Sequence, residues 1–196
     1  MPTGKRNVFK APTVRRITNR FSTITNAFIN AIMPVIPPKS DEIKAVLTSL
    51  KQADATDETL RCVYCGNHAT EWDHLHPVVK DGGPTGYLSE INNLVPCCGT
   101  CNQSKGNKDW AAWINSNAKK SPRFRNPDGL LERVKILNQH EKRFPVSRID
   151  TKDITNLQKY KDYLLLKHGI FTTMSAAQKL ADEIRLETQK NYQGKA

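Results

Sequence analysis

The sequence predicts an α+β protein: a small cysteine-stapled unit of two short strands and a helix, held between basic helical flanks. Three observations predict it. Two CxxC pairs, Cys62 with Cys65 and Cys98 with Cys101, bracket a stretch of strand-like runs separated by glycine-rich punctuation. On both sides of that stretch, apolar residues recur at steps of three and four, the period of a buried helical face. The 196-residue chain carries a formal net charge of +11, and most of its basic residues lie outside the bracketed stretch.

Residues 1–39 form the first region, a basic helical arm and linker. Lys5, Arg6, Lys10, Arg15, Arg16, Arg20 and Lys39 occur there without a single acid. Val14, Ile17, Phe21, Ile24, Phe28 and Ile32 make an apolar stripe, with Thr13 as its cap and Pro34 as its stop. Arg15, Arg16, Asn19, Arg20 and Thr23 fall on the opposite side. Such an arm packs on the domain with a solvated basic face, or serves as a DNA-backbone arm, a dimer helix or an organellar leader. Val35-Ile36-Pro37-Pro38 reads as an extended linker.

Residues 40–118 form the central domain. Ser40 is the expected cap of a helix that buries Ile43, Val46, Leu47 and Leu50. Gly66 supplies the turn of the first knuckle. Glu71 to Val79 reads as the first strand, Lys80 to Gly86 as a loop, and Ile91 to Pro96 as the second strand. A helix starts at the second knuckle, breaks near Gly106 and resumes through Trp110, Trp113 and Ile114. Trp72, Trp110 and Trp113 are expected in the core. Residues 119–196 form a helical C-terminal region. Asn126-Pro127 is the expected start of a helix with Leu130, Leu131, Val134 and Leu137 on its stripe. Two more helices are expected, from Thr151 to His168 with Gly169 closing it, and from Ser175 to Lys190 with capping-box spacing at Gln178.

Composition narrows the function classes. An excess of positive charge points to polyanions, nucleic acid first and an anionic membrane surface second. No apolar run approaches a bilayer span, which excludes a transmembrane helix. With 38% hydrophobic residues the core is modest, so a metal staple would help a small unit that buries little surface alone. Five cysteines, four of them in CxxC pairs, suit a metal site in a reducing, intracellular compartment better than disulfides. The pairs Cys62, Cys65, Cys98 and Cys101 are the expected ligands of a structural Zn2+, which soft thiolates select. Cys97 is left over as a buried bystander.

Between the knuckles, Asp73 stands beside His74, followed by Asn93-Leu94 and then Cys101-Asn102. Phosphodiester hydrolysis needs a base, a cation for developing charge and a group that holds phosphate. His74 is suited to the base, since a free imidazole titrates near ~6.5 and is largely neutral at working pH. Asp73 and Asn102 offer oxygen ligands to a hard ion, Mg2+ or Mn2+. Lys105, one helical turn beyond Asn102, is expected to meet a phosphate. His76 reads as a strand histidine hydrogen-bonded to a neighbour.

This ordered set, framed by two CxxC knuckles, resembles the HNH endonucleases with their ββα-metal fold, over residues 60–113. The resemblance implies a catalytic role for Asp73, His74 and Asn102. It implies that Asn93 is structural, holding through backbone hydrogen bonds the loop that orients His74. Asn102 stands where many such proteins have a second histidine; a neutral oxygen donor there favours magnesium over softer metals. The implied activity is DNA cleavage leaving a 5′-phosphate and a 3′-hydroxyl. Short basic flanks suit a restriction-type enzyme cutting double-stranded DNA as a homodimer, in a bacterial or phage setting. A homing-type or phage nicking enzyme, a zinc-stapled DNA-binding module without catalysis, and a ribonuclease are the rival readings.

Overall fold

What brings the two CxxC pairs together is the antiparallel pairing of strand β1 (Glu71–His74) with strand β4 (Leu94–Cys97), which sets Asp73 opposite Val95 and His74 opposite Leu94. The computed structural model describes residues 12–193; Lys5, Arg6 and Lys10 of the expected basic arm lie outside the described residues. The first strand is shorter than expected. Pro77 has no N–H to give to a ladder, and the chain turns there into a separate hairpin, β2 (Val79–Lys80) with β3 (Gly83–Pro84). Asp81 and Gly82 between them both adopt left-handed backbone, the conformation of a two-residue hairpin turn. The second strand is also shorter at its start, where Ile91–Asn93 forms a 3-10 turn.

Helix α3 (Gly99–Lys105) begins directly after Cys98 and stops at Gly106, and α4 (Trp110–Ile114) resumes with the Asp109 carboxylate capping it. Cys62, Tyr64, Leu75, Val95, Cys101, Trp110, Trp113 and Leu137 pack into one core. Tyr64 and Trp113 meet edge to face at 5.2 Å between ring centres. Trp72 is not part of this core: it is 40% exposed, on the face of β1 opposite the one that α3 covers. Gly66 is needed twice over. Its backbone is left-handed, and a side chain there would collide with the Arg133 guanidinium.

The flanks depart more from expectation. The arm is extended up to Arg16, passes through a 3-10 turn (Ile17–Arg20) and only then becomes helix α1 (Phe21–Asn30). Ser40 is the first residue of α2 (Ser40–Ser49), not its cap. That position falls to Lys39, whose backbone N–H donates to the Glu42 carboxylate at 2.8 Å. Asn126 closes α5 (Pro122–Arg125) in left-handed conformation instead of opening a helix, and α6 (Leu130–Arg143) starts after Gly129. His140 on α6 is wholly buried, and burial pushes its imidazole down to about 4.

Thr151 to His168 and Ser175 to Lys190 are not two helices. A short α7 (Thr151–Thr155) is followed by one uninterrupted α8 (Gln158–Gln193). Gly169 costs only about 1 kcal/mol inside a helix, and Ser175 donates back to the Phe171 carbonyl instead of capping. Packing across the gap holds α8 straight through both. Phe171 stacks on Phe21 at 4.4 Å, the Tyr163 hydroxyl donates to the Phe28 carbonyl, and the Ile17 N–H donates to Gln178. Arg16 sits 3.7 Å from Asp182. The N-terminal and C-terminal helices therefore form one layer. It is anchored to the central unit by a second apolar cluster, Ile29 and Met33 against Val78 and Val79. No helix among the described residues is long and apolar enough to cross a membrane.

Candidate active site

The sulfur atoms of Cys62, Cys65, Cys98 and Cys101 lie within 4.8 Å of one another, all four residues buried. Thiolates on a tetrahedral zinc, with Zn–S near 2.3 Å, stand about 3.8 Å apart, and the Cys65–Cys98 separation is 3.7 Å. Donor type, number and spacing fit zinc. Hydrogen bonding with Cys101 holds the Cys65 thiol far below its ordinary range, and contacts with Cys62 first and Cys65 second push Cys101 up. All four would be thiolates only with a cation among them, and their shared space suits one. Arg125 supplies one N–H to the Cys101 sulfur at 2.8 Å. Cys97 is equally buried but outside the cluster, as expected of a bystander.

From this staple the second knuckle leads straight into α3, and α3 lies against β1 with two polar rungs between them. On the strand, Glu71 and Asp73 share a face because side chains alternate; on the helix, Asn102 and Lys105 share one because they are three apart. The Asn102 side-chain amide donates to the Glu71 carboxylate at 2.5 Å, and the Lys105 ammonium sits 3.1 Å from the Asp73 carboxylate. Gly99 permits the first rung, since a side chain at that position would meet the Glu71 carboxylate. The Tyr64 hydroxyl, inside the first knuckle, donates to the same Asp73 oxygen at 2.7 Å. The other Asp73 oxygen accepts no hydrogen bond among the described residues.

The expectation for Lys105 is corrected by this arrangement. It does face the same way as Asn102, but β1 covers it completely, and its ammonium donates to the His74 carbonyl at 2.6 Å besides pairing with Asp73. Burial lowers its pKa and the Asp73 charge opposes that shift. Lys105 thus lies beneath the cleft, sealed from solvent, as the partner of Asp73 and the His74 backbone.

His74 stands at the end of β1, half-buried, with Nε2 2.9 Å from the Ser89 hydroxyl. Ser89 is itself fixed by the expected extended linker: its carbonyl accepts from the Ile36 N–H and its own N–H donates to the Pro34 carbonyl. Burial lowers the His74 pKa from its ordinary value, Asp73 opposes this and Lys105 adds to it, so the imidazole is neutral at pH 7. Asn93, wholly buried, holds the chain on both sides of the turn after His74. Its side-chain carbonyl accepts from the His76 N–H at 2.8 Å, and its amide donates to the His76 and Leu88 carbonyls at 3.0 Å. His76 is turned away, 2.8 Å from Glu141 and stacked on Tyr87.

Asp73, His74 and Asn102 line one cleft of about 330 Å³, together with Asn26 and Asn30 of α1 and Asn107. The free Asp73 oxygen and the Asn102 carbonyl oxygen are hard donors of the kind that bind magnesium or manganese and leave positions for water. Sequence reasoning missed Tyr64, Glu71 and Ser89, which hold the catalytic candidates in place. Only Glu71 left a signal, its spacing of two from Asp73.

Comparison with known proteins bears on the same residues. A family model described as HNH endonuclease matches residues 62–108. Over 65 residues the chain is 35% identical to the CRISPR-associated endonuclease Cas9 of Corynebacterium diphtheriae, a match covering 31% of this chain and 6% of that protein. No solved structure matches the chain.

Proposed function

We propose that the HNH endonuclease domain carried at residues 62–108 makes this chain a metal-dependent endonuclease that hydrolyses phosphodiester bonds in double-stranded DNA, of the site-specific restriction type. The observation that carries the reading is the convergence of Asp73, His74 and Asn102 on one cleft above a zinc-type thiol cluster. His74, neutral and held through Ser89, takes a proton from the attacking water. Tyr64 and Lys105 fix the Asp73 carboxylate, and Glu71 turns the Asn102 carbonyl oxygen outward. Mg2+ or Mn2+ bound by Asp73 and Asn102 would act as a Lewis acid at the leaving 3′ oxygen. Zn2+ belongs to the four thiolates, which stay reduced in an intracellular setting.

Digestion of supercoiled plasmid in magnesium, with the ends sequenced, tests the reading. Linear product with ends at fixed sites is the expected result. Open circles alone would favour a nicking enzyme, cleavage of RNA in place of DNA a ribonuclease, and DNA binding without cleavage a zinc-stapled binding module.

A second copy of the chain is the proposed partner of α8. Its Leu166, Ile170, Leu180 and Ile184 are exposed and lie symmetrically about Ser175. Two such helices running antiparallel set Leu166 of one copy against Ile184 of the other, and Ile170 against Leu180. Light scattering should give a dimer mass for the parent and a monomer mass for the Leu180→Glu/Ile184→Glu variant. A parent that remains monomeric at micromolar concentration removes the dimer from the proposal.

A further inference from the structure

We propose that α1 is the second wall of the catalytic cleft and that Asn26 and Asn30 hold the DNA strand beside the scissile phosphate, an inference that rests on the endonuclease reading. Both residues lie outside the segment matched by the family model, yet both line the cleft that contains Asp73, His74 and Asn102. They are one helical turn apart and so present two amides on one face of α1. The helix is set in place by packing. Ile29, wholly buried, and Met33 are locked against Val78 and Val79, the segment that follows the His74 turn. The wall therefore keeps its distance from the catalytic residues without needing the two asparagines for its attachment.

The asparagines have no structural task of comparable weight. At the rim, Asn26 accepts from the Asn107 amide at a long 3.5 Å, and the Asn30 side chain makes no hydrogen bond among the described residues. Asn26 is also a poor residue for the middle of a helix, costing about 0.7 kcal/mol relative to alanine. What the amides can do is chemical. Each offers two N–H donors and a carbonyl, enough to bind a phosphate oxygen or pair with a base edge. The cleft needs such groups, because Lys105 is sealed beneath it and, among the described residues, neither lysine nor arginine lines it. Along the same side of α1 a strand leaving the cleft would pass Thr23 and then Arg20, both exposed.

The test is DNA affinity in a catalytically silent background, with cleavage measured separately. In His74→Ala protein, the pairs Asn26→Ala/Asn30→Ala and Asn26→Asp/Asn30→Asp are compared for binding to a labelled plasmid-derived duplex. The alanine pair should weaken binding about tenfold, the loss of one or two hydrogen bonds to charged phosphates. The aspartate pair should weaken it more, since two carboxylates would face the backbone, and should do so most strongly at low salt. Asn138→Asp, on the exposed side of α6, is the charge control and should bind like its background. With His74 present, the alanine pair should raise KM more than it lowers kcat. Parent-like affinity and KM in both pairs would overturn the proposal. If the parent chain binds DNA but does not cut it, the endonuclease reading fails while the affinity comparison still decides whether α1 contacts the strand. Circular dichroism checks that α1 persists, which the alanine pair favours by propensity.

Discussion

His74→Ala should lower DNA cleavage by at least about 10²- to 10⁴-fold, the usual contribution of a general base, while zinc content and DNA affinity stay at parent level. The separation follows from where His74 sits. It is at the end of β1, its ring touches Ser89 and the cleft, and it contributes nothing to the thiol cluster or the apolar core. What anchors the backbone at this position is the His74 carbonyl, through Lys105, and the Asn93 contacts just beyond, and alanine keeps all of these. Asp73→Ala and Asn102→Ala should also stop cleavage, but through loss of oxygen donors, so raised manganese should restore part of it. No metal should restore His74→Ala, because the missing part is a proton acceptor. His76 offers no substitute, being turned toward Glu141. Cleavage by His74→Ala at close to the parent rate in magnesium would place the chemistry elsewhere.

The candidate set that meets at the cleft was legible because its signals are short-range. A CxxC pair, an Asp-His dipeptide and a Cys-Asn dipeptide each announce themselves within a few residues, and their order along the chain does the rest. Lys105 shows where that kind of reading ends. Spacing puts it on the same side of α3 as Asn102, but only the docking of β1 decides whether that side is open to substrate or sealed, and the contact joins residues 31 apart in sequence. Tyr64, Glu71 and Ser89 were hidden for the same reason: their partners are chosen by tertiary packing. Local punctuation misled at the C-terminus, where Gly169 and Ser175 look like breaks. The helix runs through both because Phe171 and Gln178 are held from outside by Phe21 and Ile17. The arm packs on the domain, one of the readings its stripe allowed, but nothing in its own sequence names the Val78–Val79 surface that sets Asn26 and Asn30 at the cleft.

Cys62→Ser should lose the zinc, falling from about one ion per chain to near none by elemental analysis, and should unfold the central unit at a much lower temperature. Structural zinc contributes roughly 10–16 kcal/mol in small zinc-binding peptides, as much as the whole stability of a typical domain, about 5–15 kcal/mol. Here the four thiols sit inside the core, against Tyr64, Trp113 and Val95, so an empty cluster would leave buried polar sulfurs without a partner. Cys97→Ala is the control. It removes an equally buried sulfur outside the cluster and should retain the ion. Purified parent protein without zinc, or equal zinc loss in both variants, would sink the four-thiolate assignment. The effect should also reach the chemistry before the unit unfolds. Tyr64 lies between Cys62 and Cys65 and donates to Asp73, and Asn102 follows Cys101 directly. Partial chelation should therefore reduce cleavage in saturating magnesium in step with zinc removed, whereas an active site independent of the knuckles would keep its rate until the fold is lost.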